Sequence, residues 1–93
     1  KNFMDNKIVL SSIAMDLKRV AMGYHRGSKL MAKRFFDEAL KRKDEIDLSC
    51  LKPYLRTLLS QFPTIKNQND DKEVAEDALM YSTLFQNAAV KSK

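Results

Sequence analysis

Over 5–25 the apolar residues return at the 3.6-residue period of a helix, and Val9, Leu10, Ile13, Ala14, Leu17, Val20, Ala21 and Tyr24 share one broad face. Gly27 predicts the stop, because glycine takes the left-handed conformation that closes a last turn. Ser28 is a natural cap for a second helix over 29–43. Met31, Ala32, Phe35, Phe36, Ala39 and Leu40 form the inner face of that helix. Its outer face carries charge pairs four apart: Lys33 with Asp37, Arg34 with Glu38, Asp37 with Lys41, Glu38 with Arg42. Each adds only about 0.2–0.5 kcal/mol, but together they mark a solvated surface.

Asp47 could cap a helix starting at Leu48, but Pro53 would then delete a backbone hydrogen bond inside it. A short turn over 48–51 followed by a regular helix over 52–61 satisfies both residues. Leu51, Tyr54, Leu55, Leu58, Leu59 and Phe62 make its apolar stripe, and Phe62-Pro63 ends it. The stretch 64–69 reads as a polar connector. Asp70 with Glu73 forms a capping box for a last helix over 71–90. Val74, Ala75, Ala78, Tyr81, Leu84, Phe85, Ala88 and Ala89 lie on its apolar side. Four helices with short connections predict an all-α fold, a four-helix antiparallel bundle forming one small domain over 1–93.

The first helix carries a second apolar stripe. Ile8, Met15 and Met22 recur every seven residues on nearly the opposite side from the main face, flanked by Ser11 and Ser12, with Gly23 farther round. A helix at the edge of a bundle needs only one such stripe. Two stripes mean either that the first helix is central, touched by all three others, or that the second stripe meets another subunit. The favoured expectation is a symmetric homodimer using Ile8, Met15, Arg19 and Met22, since methionine tolerates the imperfect packing of association surfaces. Arg19, in the same sector, then needs a carboxylate from the partner, Asp16 or Asp5.

Composition narrows the chemistry. The 93 residues are 44% hydrophobic and 31% charged, which suits one folded domain. With two Gly, a phosphate-cradling glycine loop is excluded, and one Cys with one His is too little for a structural zinc site. No cofactor is expected. No run approaches 18 consecutive apolar residues, so no membrane association is expected. No leader-like segment is visible, an observation of little weight in a chain that opens on Lys1 rather than Met. A lone Cys fits a reducing compartment, and the cytoplasm is the default expectation.

The net charge of +5 is unevenly spread: nine Lys/Arg and only two acids fall between Lys18 and Lys43. Arg26, Lys29, Lys33 and Arg34 cluster around the first interhelical turn, which suggests a nucleic-acid-binding domain as an alternative. Against it, the second helix offers no Asn or Gln to read adenine, and its acids would repel phosphate. A solvated face is the simpler account. The Asp and Glu residues at 44–47 lack the spacing of a calcium loop. Those at 70–77 fall where a helix start favours acids.

His25 is the one side chain suited to acid–base work near neutral pH. Arg19, five residues and His25 give a spacing that resembles the motif of the HEPN ribonucleases, a helical and dimeric family that keeps it at a dimer cleft. That resemblance implies an RNA-cleaving enzyme as a second alternative. The family places its motif late in the chain with a polar residue after the Arg, whereas here it is early and followed by Val20. On a straight helix Arg19 and His25 point about 120° apart. A non-enzymatic interaction or regulatory module, possessing a homodimer interface or a protein partner, is therefore preferred.

Overall fold

A glycine, three side-chain caps and a proline divide the chain into its elements. The computed structural model describes residues 6–91. Helix α1 (Asn6–His25) closes with Ser28 N–H donating to the Gly23 carbonyl at 2.8 Å and Gly27 N–H to that of Tyr24 at 3.1 Å. Gly27 adopts φ 75°, as that closure requires. The Ser28 side chain accepts from Met31 N–H at 3.1 Å and so opens α2 (Lys29–Lys43). Pro53 begins α3 (Pro53–Gln61), where its missing N–H is no loss. Ahead of it, Leu48–Cys50 winds into a short 3-10 turn capped by Asp47. Asp70 caps α4 (Asp71–Lys91), accepting from Lys72 N–H at 2.9 Å. Among the described residues Glu73 makes no return bond, so only half of the expected capping box forms. Asp5, expected in the first turn of α1, lies outside the described residues.

These elements assemble as an all-α antiparallel bundle. The hairpin of α1 and α2 brings Gly23 against Ala32 at one end and Arg42 to Asp16 farther along. On the other side α4 returns along α1, and the buried Ser82 Oγ donates to the Ala14 carbonyl at 2.7 Å. Flanked in this way, α1 buries Val9, Leu10, Ile13, Ala14, Leu17, Val20 and Ala21. Of its expected main face only Tyr24 is left half-buried.

The segment after α3 corrects the sequence expectation. In place of a polar connector, Phe62–Asn67 continues as a 3-10 helix, and Phe62 and Ile65 are both buried. Residues three apart eclipse in that geometry, so the turn that buries Phe62 also buries Ile65. Phe62 sits at the meeting point of three elements, its ring edge-on to Phe36 and Phe85 with centroids 6.1 and 5.6 Å away. Ile46, between α2 and the first 3-10 turn, is a further core residue without a helix to announce it.

Two residues expected inward face water. Tyr54 is 53% exposed, and Leu84 is 37% exposed. The buried arc of α4 centres between Ala78 and Phe85 and includes Ser82, which leaves Leu84 roughly 100° round the helix.

The charge pattern of α2 also resolves differently. Among the described residues none of the expected four-apart pairs closes. Glu38 approaches Lys41 at 3.8 Å, three residues on, and Arg42 turns inward to donate to Asp16 at 2.7 Å. Asp16 is buried, and a buried carboxylate needs such a partner. Burial pushes the Asp16 carboxyl above its ordinary 3.8, while the hydrogen bond and charge of Arg42 and the charge of Arg19 pull it back; Glu38 adds to the rise.

A pH dependence follows. Between 3.8 and the raised folded value the native chain binds more protons than the unfolded chain. The contribution of Asp16 to stability therefore falls as pH rises through that window, and is constant above it. Asp16→Asn is expected to flatten this part of the profile, read from urea midpoints between about pH 3 and pH 7. A profile superimposable on that of the unmodified chain would refute the assignment.

Candidate interaction surface

The outer stripe of α1 is left uncovered by its own chain. Ile8 is 55% exposed and Met15 is 51% exposed, whereas Met22 is half-buried. Ser11 and Ser12, between Ile8 and Met15, are partly buried. The alternative in which the other three helices enclose this side of α1 is therefore not met at Ile8 and Met15.

Packing of α4 along α1 widens the stripe into a surface. Leu79 is 45% exposed and borders the same groove as Met15. The groove holds about 330 Å3, with Ala14 and Ser82 below and Met15, Lys18, Leu79 and Thr83 at its sides. The Ser82–Ala14 hydrogen bond draws the two backbones together under it. Val90, 65% exposed, lies three turns from Leu79 on the same side of α4. Sequence reasoning missed the share of α4 because Leu79 and Val90 fall outside the main apolar arc of their helix. Their eleven-residue spacing was the available signal.

Arg19 takes a different place from the one expected. Its guanidinium lies 3.9 Å from Asp16 of its own chain and 5.4 Å from the centroid of the Phe35 ring on α2. It leans away from the Ile8–Met15 stripe and requires no carboxylate from a second copy. Asp16 is already held by Arg42, and Asp5 lies outside the described residues. Gly23 is likewise turned inward, against α2, and does not border the stripe.

The basic residues near the first turn divide among different neighbours. Arg26 is exposed, Lys29 pairs with Asp71 of α4 at 3.3 Å, and Arg34 lies over the Phe35 ring at 5.9 Å. Lys33, exposed, borders a second concavity between α1 and α2. Arg19 and His25 are not brought together by any break in α1, which runs unbroken from one to the other. His25 is exposed in the last turn of α1. Cys50 is exposed, with its thiol 3.3 Å from an Asp47 carboxylate oxygen. Among the described residues no three His, Cys, Asp or Glu side chains gather closely enough to hold a metal ion. No described helix is long and apolar enough to cross a membrane. No protein-family model, curated protein or solved structure matches the chain.

Proposed function

We propose that this chain is a non-enzymatic helical interaction module that self-associates through the outer face of α1 and works in the cytoplasm. The observation that carries the proposal is the half-exposure of Ile8 and Met15, seven residues apart on a helix whose other side is sealed in the core. Exposed methionine and isoleucine in register along two turns, with Leu79 on α4 beside Met15, give this face an apolar character of the kind that partner surfaces cover. A second copy offers the same face to itself under two-fold symmetry. The exposed free thiol of Cys50 agrees with a reducing compartment.

Met15→Glu tests the proposal directly. The side chain is 51% exposed, and glutamate three and four residues before Lys18 and Arg19 suits the helix, so the fold is retained. Sedimentation is expected to give twice the 10.7 kDa chain mass for the unmodified protein and a single chain for the variant. An unmodified protein that sediments as a single chain at every accessible concentration would end the proposal.

A further inference from the structure

On the far side of α1 from the Ile8–Met15 strip, a concavity of about 310 Å3 opens between α1, α2, the 3-10 helix after α3 and the start of α4. Its floor is apolar: Val20, Ala32, Phe36 and Val74 all border it and are all buried. Lys33 and Lys66 stand at its edge, and neither forms an ion pair among the described residues. The Lys66 ammonium lies 5.9 Å from the Phe36 ring centroid, so the attraction of the ring for a cation holds that charge at the mouth. Tyr24, itself half-buried, also borders the cavity, and its hydroxyl makes no hydrogen bond among the described residues. Two neighbours act in the opposite sense. Asp37 borders the cavity with a free carboxylate, and Lys29 is already paired with Asp71.

We infer that this cavity binds a small amphiphilic carboxylate, with its apolar body on Val20, Phe36 and Val74 and its anionic end between Lys33 and Lys66. An apolar floor with a few convergent polar groups is the usual construction of a small-molecule site. At about 310 Å3 the cavity stands at the small end of the roughly 300–1,000 Å3 range of ligand pockets, which suits a short-chain acid such as octanoic acid. Two unpaired ammonium groups against one unpaired carboxylate set the preference for an anion. The inference is independent of self-association, because the strip and the cavity lie on opposite sides of α1.

Amide shift mapping of the full chain with sodium octanoate, and separately with 1-octanol, tests it. Octanoate is expected to give saturable shifts centred on Val20, Ala32, Phe36 and Val74, with octanol bound roughly fivefold more weakly, the size of an exposed charge contact. Lys33→Glu with Lys66→Glu is expected to weaken octanoate by roughly 2- to 25-fold, since two such contacts are lost. Both lysines are exposed, and the octanol comparison decides the matter with no variant at all if the doubly substituted chain misfolds. Equal binding of acid and alcohol, shifts centred on the Met15 groove, or no saturation would each overturn the assignment.

Discussion

Phe62→Ala is expected to remove about 3–5 kcal/mol of folding stability, a large part of the roughly 5–15 kcal/mol that a domain of this kind possesses. Phe62 is fully buried and meets Phe36 of α2 and Phe85 and Tyr81 of α4. Truncation removes those contacts and leaves a cavity that three separate elements would have to move to fill. At about 4–8 °C for each kcal/mol in a chain of this size, the thermal midpoint falls by more than 12 °C or so, if a folded state survives. Tyr54→Ala is the matched control: an aromatic from the neighbouring helix, half exposed, whose loss is expected to cost much less. Equal losses from the two substitutions, in urea or heat, would show that Phe62 does not close the core.

Gly23→Ala is expected to destabilise, against the direction that helix propensity alone predicts. Propensity favours alanine inside a helix by about 1 kcal/mol. A Cβ on Gly23, however, would stand 2.7 Å from the Ala32 nitrogen, 3.0 Å from the Ala32 Cα and 3.1 Å from the Ser28 carbonyl oxygen. All three are backbone atoms, so no side chain can swing aside and the α1–α2 hairpin must part. Overpacking of this kind costs about 1–3 kcal/mol or more, which outweighs the propensity gain. Gly27 is required for a different reason: the space around it is open, but its φ of 75° suits glycine. Stability in Gly23→Ala at or above that of the unmodified chain would mean that the helices do not approach so closely.

The two glycines show how far the sequence could be read. Gly27 announces its role locally, since a glycine just after a helical period and just before a serine specifies a stop and a cap. Gly23 sits mid-pattern, and only its neighbour across the hairpin explains it. Small residues beside the second stripe, Ser11, Ser12 and Gly23, leave room for another helix to come close. The close approach exists at Gly23, but α2 of the same chain makes it. Arg42 repeats the lesson. Its spacing from Glu38 fits a surface pair, yet the buried carboxylate of Asp16, 26 residues away, is the stronger partner because it has no water to turn to.

Of the candidate surface, Ile8, Met15 and Met22 were legible from their seven-residue spacing, and two of the three stand open on the folded chain. Leu79 was not, because its relation to Met15 depends on how α4 is laid against α1. The cavity with Lys33 and Lys66 was equally hidden. Its walls come from four segments, and the 3-10 helix that carries Lys66 read as a polar connector.

Helix positions, their caps and the inward residues of α1 were determined by the sequence itself, because hydrogen bonds and side-chain period within a helix act over three or four residues. Only the tertiary structure decided which backbone crosses at Gly23, which carboxylate holds Arg42, that Ile65 joins the core, and which apolar side of α1 stays open. Each of those outcomes depends on the element that arrives opposite. Burial is a property of the pair, and neither helix encodes it alone.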